Sequence, residues 1–384
     1  MPRFPKTVPT LDAVGGAVFS SLAGKMAAHR GTLYPLHIGD TWLEPAEGCR
    51  MEDLHVDEHP GMHRYANPQG LAPLVDAIAE RAQRRMDVPT QPDEVLVAAG
   101  ATGALGAVIG STVAPGDEVL VLAPYWPLIT GIVRCFHGEP VVVPTLGSVH
   151  SADEVVAAVE AHRTSKTTAI YLSTPNNPSG LRLPSDWIDA LVNWALHHDL
   201  WIIADEVYED YVFDGEHSYT RSRAPERCFS VHSFSKAFGM AGNRCGYVVG
   251  PRSVMADARK VSTHAFYSTP TASQLAALRA LDGRGDAWVD AIRPQYRQLG
   301  EEAADKLGLE RPQGGTFLFV DVADKLDDRG LLGFLEDCAD DGLFLAPGPS
   351  FGPYPTHVRI CFTCATPDIV RGGVDVLARH LGRG

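Results

Sequence analysis

Between about residues 69 and 250, two apolar patterns alternate along the chain. Leu71, Leu74, Val75 and Ile78 have the spacing of one face of an amphipathic helix, and the apolar run that follows at 94–99 is typical of a buried strand. The same alternation predicts strands at 118–123, 140–143, 168–173, 200–204, 228–232 and 246–249, with helices at 102–113, 127–136, 152–163 and 184–198. Short apolar strands separated by helices indicate a largely parallel sheet covered by helices. Most of the chemistry is then expected at the carboxyl ends of the strands.

The pattern changes after about residue 252. Helices are predicted at 253–263, 271–282, 286–308 and 329–341, and strands at 316–322 and 357–362. This succession is typical of an α+β unit. The first 45 residues show no strong periodicity and are predicted to form an arm and a loop packed on the rest.

These patterns predict an α/β fold of two domains. We expect a large domain at 46–275, with a mainly parallel seven-stranded sheet sandwiched by helices. A smaller α+β domain is expected at 276–384, and the arm at 1–45 contributes part of it.

Composition narrows the class of partner. The chain has 384 residues, more than one domain of roughly 100–200 residues usually contains. Hydrophobic residues make up 45% and charged residues 21%, which is the balance of an ordinary globular protein. A formal net charge of −14 argues against a nucleic-acid partner, because binding to a polyanion depends on Lys and Arg. We therefore expect small-molecule partners.

The cysteines and the N-terminus carry weaker signals. Among the seven cysteines, only Cys361 and Cys364 have CxxC spacing, and they lie in an apparent strand. A structural zinc site usually needs a second such pair or nearby histidines, so buried free thiols and no metal site are expected. The first residues lack the apolar segment of a signal peptide, and no apolar run reaches the length of about 18 residues that a membrane helix needs. We expect a cytoplasmic protein without a membrane segment.

The segment SFSKAFGMAGNRCGY at 233–247 carries the main chemical signal. Lys236 follows directly on an apolar strand and two serines, and Arg244 comes eight residues later. An isolated lysine is most often a solvated surface charge, so its residue type alone predicts little. Hydroxyl groups and an arginine beside it suit an anionic phosphate, and such a lysine suits imine formation.

With this segment, the chain resembles the fold-type-I aminotransferases, the superfamily of aspartate and aromatic aminotransferases, over nearly its whole length. Further motifs agree in order and spacing: GATGAL at 100–105, APYWP at 123–127, STPNNPSG at 173–180, ADEVYED at 204–210, GGTFL at 314–318 and HVRICF at 357–362. The resemblance implies the fold-type-I architecture, pyridoxal 5′-phosphate held as an imine of Lys236, and a homodimer with composite active sites.

The resemblance implies a set of groups around the cofactor phosphate. Gly100 ends a predicted strand and opens a helix, so the N–H groups of Ala101 and Thr102 and the positive end of the helix dipole can hold an anion. The other implied phosphate ligands are Ser233, Ser235 and Arg244, and Tyr65 would reach the phosphate of the neighbouring subunit's site.

Other residues match positions around the cofactor ring. Asp205 closes an apolar strand, where a carboxylate is costly without a cationic partner, and the resemblance pairs it with the protonated pyridine nitrogen. Asn177 and Tyr208 match the positions that hydrogen-bond the cofactor's 3-oxygen. Trp126 matches the aromatic residue that stacks on the ring.

The implied reaction transfers the α-amino group of an amino acid to a 2-oxo acid by a ping-pong path. Lys236 would act both as tether and as the general base that moves the proton from Cα to the cofactor's C4′. Arg359 would clamp the substrate α-carboxylate bidentately, with help from Asn177 and from the loop at Gly39.

The loop at 36–45 departs from the family pattern, because Thr41 stands where a proline is expected. Trp42 indicates either a bulky or stacked substrate or packing against the core, and the sequence does not decide between them. No second arginine can be assigned to a distal carboxylate. This favours a neutral, aromatic or unusual amino acid over a dicarboxylic one.

Two rival functions stay open at this point. The same cofactor and fold support amino-acid lyases, cyclases and oxidases; Tyr208, whose position is often histidine in the carbon–sulfur lyases, favours transamination. A transcription regulator built on this fold would carry an additional DNA-binding unit. The acidic balance and the start of the chain near the fold's own arm argue against that reading.

Overall fold

The computed structural model describes residues 8–15 and 22–383 and shows an α/β fold built on two sheets. The predicted seven-stranded sheet is confirmed. Its strands are β1 (Val95–Ala98), β2 (Glu118–Ala123), β3 (Glu139–Pro144), β4 (Thr167–Ser173), β5 (Trp201–Asp205), β6 (Cys228–Ser233) and β7 (Gly246–Val249). Of the predicted arm, residues 1–7 and 16–21 lie outside the described residues.

The strands of this sheet lie in the order β1-β7-β6-β5-β4-β2-β3. Strand β7 runs antiparallel to both β1 and β6, whereas the other neighbouring pairs are parallel. The central strands are buried on both faces, which is why their sequences are continuous apolar runs. Ser173 at the end of β4 lies level with Asp205 at the end of β5. The carboxyl ends of β4, β5 and β6 therefore meet at one edge of the sheet.

Helices cover the sheet and form much of the C-terminal part. Their bounds are α1 (Ala23–Ala28), α2 (Ala72–Met86), α3 (Gly100–Thr112), α4 (Leu128–Cys135), α5 (Ala152–His162), α6 (Ser185–His197), α7 (Phe234–Ala237), α8 (Arg252–Ala265), α9 (Thr271–Arg279), α10 (Gly285–Leu307), α11 (Gly330–Asp340) and α12 (Pro367–His380). The short helices α1 and α7 and the C-terminal helix α12 were not predicted. The predicted helix at 271–282 ends early, because a π-helical turn at Ala280–Arg284, with Gly283 at φ +102°, separates α9 from α10.

The second sheet is small and antiparallel. It consists of β8 (Phe317–Asp321), β9 (Ala346–Pro347) and β10 (His357–Cys361), in the order β8-β10-β9. Strand β9, two residues long, was too short to predict. Tyr34 forms a bridge with Leu343, so the N-terminal segment joins this part of the molecule. The division at 45/46 and 275/276 stays a prediction; the second boundary falls inside α9.

The cysteines differ from expectation in detail. The predicted strand through both CxxC cysteines was wrong, because β10 ends at Cys361 and the thiol of Cys364 donates to the carbonyl of Cys361 at 3.1 Å. The expectation of buried thiols was also wrong for Cys364, which is half-buried, and for Cys135, which is exposed. In the ranges 8–15 and 22–383, every helix is too short or too polar to cross a bilayer.

A close approach between β7 and the start of α3 sets the geometry at the sheet edge. A Cβ atom built on Gly246 would lie 2.6 Å from the carbonyl carbon of Gly100 and 2.7 Å from the nitrogen of Ala101. Both are backbone atoms held between two secondary-structure elements. Gly246 is therefore required for the turn from β1 into α3 to pack against the sheet.

Gly246→Ala is expected to lower the free energy of unfolding by about 1–3 kcal/mol, because the added methyl group overpacks against backbone. Equilibrium denaturation measures this change. Gly242→Ala is the matched control, since its Cβ would meet nothing within 4 Å; its stability should stay within about 0.5 kcal/mol of the parent. A Gly246→Ala protein as stable as the parent would contradict the close approach.

Candidate functional site

A cavity of about 160 Å³ opens where the carboxyl ends of β4, β5 and β6 meet the start of α3. Such an edge is the expected location of a ligand in a parallel α/β sheet. The cavity is lined by Ala101, Thr102, Trp126, Ser173, Asn177, Asp205, Val207, Tyr208, Ser233, Ser235, Lys236, Ala241 and Arg244. The structure thus brings together every residue predicted around the cofactor except Gly100, which lies directly beneath, and Tyr65.

One end of the cavity is suited to an anion. Gly100 has a φ of +70°, a conformation that glycine adopts without strain, and it turns the chain from β1 into α3. Among residues 8–15 and 22–383 no side chain caps this helix, so its first N–H groups, including those of Ala101 and Thr102, remain available at the positive end of the helix dipole.

Arg244 completes this end of the cavity. Its Nη1 donates to the carbonyl of Ala241 at 2.8 Å, and a Cβ atom built on Gly100 would lie 2.5 Å from its Nη2. Ser233 ends β6 and caps α7, because its hydroxyl accepts a hydrogen bond from the N–H of Ser235 at 3.1 Å. Two hydroxyls, a guanidinium and a helix N-terminus therefore face one small volume, and these donors suit a phosphate.

Lys236 lines the cavity and is half-buried. Its Nζ donates to the backbone carbonyl of Gly39. Burial lowers the pKa of Lys236; the nearby Asp40 and Cys361 oppose this shift, and the positive charges of Arg359 and Arg244 add to it. A lowered pKa makes the neutral amine more available for covalent bonding and proton transfer.

Asp205 faces the cavity from the end of β5, with only 6% of its surface exposed. Tyr171 donates to its Oδ2 at 2.7 Å and the N–H of Val207 donates to its Oδ1 at 3.4 Å. Burial raises the pKa of Asp205 to about 6. Within residues 8–15 and 22–383 no cation forms an ion pair with it. This buried carboxylate therefore lacks a cationic partner that would offset the cost of removing its charge from water.

A second cavity of about 320 Å³ adjoins the first, because both are lined by Trp126, Asn177, Tyr208 and Lys236. The other residues that line it are His37, Ile38, Gly39, Pro127, Leu128, Phe351 and Arg359. The predicted substrate residues Gly39, Asn177 and Arg359 are therefore brought together on the same side of Lys236.

Arg359 is buried in β10 and held rigidly. Its Nη1 donates to Oδ1 of Asn177 at 3.0 Å, and its Nη2 donates to the carbonyl of His37 at 2.6 Å. The guanidinium carbon lies 4.3 Å from the ring centre of Phe317 and 4.8 Å from that of Phe351. These two aromatic contacts help to orient the planar guanidinium, whose fork suits bidentate contact with a carboxylate.

The unusual loop at 36–45 is anchored by its side chains and backbone. Thr41 shares a short hydroxyl contact with Tyr296 of α10, and the N–H of Trp42 donates to the carbonyl of Thr363 at 2.9 Å. Trp42 lines neither cavity, so the structure favours packing over the stacked-substrate role for this residue. The residues of this loop that line the second cavity are His37, Ile38 and Gly39.

Tyr65 lies apart from both cavities. It is 89% exposed, and its ring centre is 5.0 Å from that of Tyr267. Within one chain, Tyr65 contributes nothing to the site.

Sequence reasoning missed several residues that line the site or support it from outside the cavities. Tyr171 is one of them. It lies in an apolar strand, where a tyrosine is usually an ordinary core residue, so its sequence context carries no sign of a contact with the site. Phe317 and Phe351 are others, since their contact with Arg359 depends on the pairing of the small sheet. His37 was missed as well; burial and then the positive charge of Arg359 lower its pKa to about 4, so its ring is neutral near pH 7.

Comparison with known proteins places the chain in a family. The model of the family described as aminotransferase class I and II matches residues 40–377. An aspartate/prephenate aminotransferase of Thermus thermophilus is 33% identical over 333 residues, 84% of this chain and 84% of that protein. An arginine–pyruvate transaminase of Pseudomonas aeruginosa is 34% identical over 322 residues, 78% of each.

Solved structures agree with this assignment. Aspartate aminotransferase from Thermus thermophilus with maleate superposes with a TM-score of 0.89 at 29% identity, covering 98% of this chain and 100% of that chain. The fold-type-I resemblance and the predicted transfer of amino groups are confirmed. The chain is an enzyme that belongs to the aminotransferase class I and II family.

Proposed function

We propose that this aminotransferase works with pyridoxal 5′-phosphate held by Lys236. It transfers the α-amino group of an amino acid with an uncharged side chain to a 2-oxo acid. The observation that carries the proposal is the convergence of Lys236, Asp205 and Arg359 on two adjoining cavities. A lysine with a lowered pKa, a buried carboxylate without a cation and a clamped arginine are the groups that this chemistry requires.

The described residues fit the cofactor. The N–H groups of Ala101 and Thr102, with Ser233, Ser235 and Arg244, would hold its phosphate, because these donors surround one end of the cavity. When bound, pyridoxal 5′-phosphate supplies an electron-accepting ring for the electrons that remain when the substrate Cα loses its proton.

The groups around the ring position would tune and orient it. The Asp205 carboxylate would pair with the protonated ring nitrogen, which supplies the cation that this buried charge lacks. Asn177 and Tyr208 would hydrogen-bond the 3-oxygen, and Trp126 would cover the ring face. Burial raises the pKa of Tyr208, so its hydroxyl stays protonated and donates.

Lys236 would act as tether and then as general base. In its neutral form its Nζ would take the proton from the substrate Cα and return it to the carbon that accepts the amino group. The carbonyl of Gly39 orients the amine at the junction of the two cavities. Arg359 and Asn177 would hold the α-carboxylate, which fixes the direction of the Cα–H bond.

The substrate side chain would lie among Ile38, Leu128 and Phe351. Arg359 and Lys236 have other tasks, and His37 is neutral near pH 7. In the described part of one chain, the lining of this cavity therefore offers no further cation for a side-chain carboxylate. This supports a donor with a neutral, apolar or aromatic side chain.

We also propose a homodimer in which Tyr65 reaches the cofactor phosphate of the neighbouring subunit. Its high exposure and its distance from its own chain's cavities support this role.

Lys236→Ala is expected to lower the rate of amino transfer by roughly 10²–10⁴-fold or more, because both the tether and the general base are lost. A coupled assay of oxo-acid formation measures the rate. Lys306→Ala is the control, since Lys306 lies on the helix surface paired with Asp375 at 3.2 Å. Parent-like turnover by the Lys236→Ala enzyme would refute the proposed function.

Arg359→Lys is expected to lower kcat/KM for amino-acid donors by roughly 10–100-fold, because an ammonium cannot make the bidentate contact. The corresponding decarboxylated amine serves as the comparison substrate. It lacks the group that Arg359 would hold, so its kcat/KM should change far less. An equal effect on both donors would show that Arg359 does not recognise the carboxylate.

Leucine and aspartate are similar in side-chain size and differ in charge, so they test the substrate class. We expect kcat/KM for leucine to exceed that for aspartate by at least about tenfold, because the aspartate side chain would lose hydration without gaining a cation. Steady-state assays with a common 2-oxo acid measure both donors. A preference for aspartate would contradict the proposed lining and indicate a cation contributed by a second subunit.

A further inference from the structure

The strongest contact to Asp205 comes from a residue outside both cavities. Tyr171 lies on β4, next to β5, and its side chain is fully buried. Its hydroxyl donates to Oδ2 of Asp205 at 2.7 Å. The other hydrogen bond to this carboxylate, from the N–H of Val207 to Oδ1, is longer at 3.4 Å. Tyr171 therefore fixes one oxygen of Asp205 from behind.

The titratable groups that face Asp205 come from two neighbouring strands and from the turn that follows β5. Tyr171 approaches from β4, His232 from β6, and Glu206 and Tyr208 follow Asp205 itself. Burial raises the pKa of the carboxyl, and Glu206 adds to the rise. The hydroxyl of Tyr171, the N–H of Val207 and the charge of His232 act in the opposite direction. Whether Asp205 is ionised thus depends on a small number of groups that shift its pKa in opposite directions.

His232 contributes less directly than Tyr171. Its ring is tied to other partners: Nδ1 lies 2.9 Å from Glu209, Nε2 lies 2.7 Å from the hydroxyl of Ser230, and the ring stacks on Tyr247. Its influence on Asp205 is through space. Tyr171, by contrast, forms a direct hydrogen bond to the carboxylate, and a hydrogen bond to the charged form favours ionisation.

We propose that Tyr171 is a positioning residue of the reaction, which holds Asp205 ionised and directs its free oxygen into the cavity. The inference rests on the proposed role of Asp205 opposite the cofactor ring. Tyr171 touches neither cavity and acts only through Asp205. Without the hydroxyl, the same burial would favour the protonated carboxyl, which cannot pair with a protonated ring nitrogen.

The test is Tyr171→Phe, which removes the hydroxyl and keeps the ring in the core. Its control is Tyr354→Phe, because Tyr354 is also a buried tyrosine and its hydroxyl donates to the carbonyl of Ala123 at 2.8 Å, away from Asp205. Asp205→Asn and the double variant complete the set. The first readout uses cofactor-free protein, so it does not depend on catalysis.

That readout is the free energy of unfolding as a function of pH. A carboxyl whose folded-state pKa is raised binds its proton more tightly in the folded state. Proton binding by this carboxyl therefore adds to the free energy of unfolding. This contribution is fully present below the unfolded pKa of about 3.9 and is lost as the pH rises through the folded pKa, and the range between the two pKa values is the pH window of the carboxyl. For the parent this window ends near pH 6, the folded pKa of Asp205.

Tyr171→Phe is expected to move the upper end of the window higher by about 1–2 pH units, because a charge-assisted hydrogen bond is lost. Tyr354→Phe should leave it in place. In the Asp205→Asn background the Tyr171 substitution should produce no shift. An unchanged window in Tyr171→Phe overturns the proposal, whatever the activity.

The second readout is kcat/KM of the enzyme loaded with pyridoxal 5′-phosphate. Tyr171→Phe is expected to lower it by about tenfold near pH 7, with partial recovery at higher pH as Asp205 ionises. A shifted window with parent-like kcat/KM would also overturn the positioning role. If the parent itself transfers no amino group, the proposed function fails, while the pH window still reports whether Tyr171 controls Asp205.

Discussion

Asp205 is a carboxylate held almost wholly out of water, with a hydroxyl and a backbone amide as its hydrogen-bond partners. Removing a charge from water is costly unless an opposite charge compensates it. Among the described residues no cation forms an ion pair with it, and the cavity that the carboxylate faces is also lined by anion-binding groups. The seven-stranded sheet makes this arrangement possible, because its parallel strands bring the ends of β4, β5 and β6 to one edge.

Two further charges tie the N-terminal loop to this edge. Lys236 donates to the carbonyl of Gly39 and Arg359 donates to the carbonyl of His37. Lys236 lies in α7, directly after β6 of the large sheet, and Arg359 lies in β10 of the small sheet. The loop between 36 and 45 therefore contacts both of these side chains, and its residue Ile38 lines the second cavity.

Much of this organisation could be predicted from sequence, since it depends on local patterns. The seven strands follow from short apolar runs, and the start of α3 at Gly100 follows from a strand that ends in small residues. The motifs that resemble the aminotransferases predicted residues that the structure indeed brings together, although their roles stay proposals. The family and its amino-transfer function are confirmed.

What sequence could not predict depends on contacts between distant elements. The bond from Tyr171 to Asp205 crosses neighbouring strands, and the rings of Phe317 and Phe351 meet Arg359 only once the small sheet has formed. The short elements α1 and β9 have too few residues for a periodic signal. Trp42 could not be assigned until its backbone contact with Thr363 placed it outside both cavities.

The most direct measurement of the central claim is a half-reaction without an acceptor. The enzyme loaded with pyridoxal 5′-phosphate is mixed with excess leucine, and oxo acid, ammonia and the visible absorption of the cofactor are followed together. The account predicts about one equivalent of oxo acid per active site, no ammonia, and loss of the visible band that a 2-oxo acid restores. Continuous release of ammonia, or oxo acid formed well beyond one equivalent without an acceptor, would contradict it.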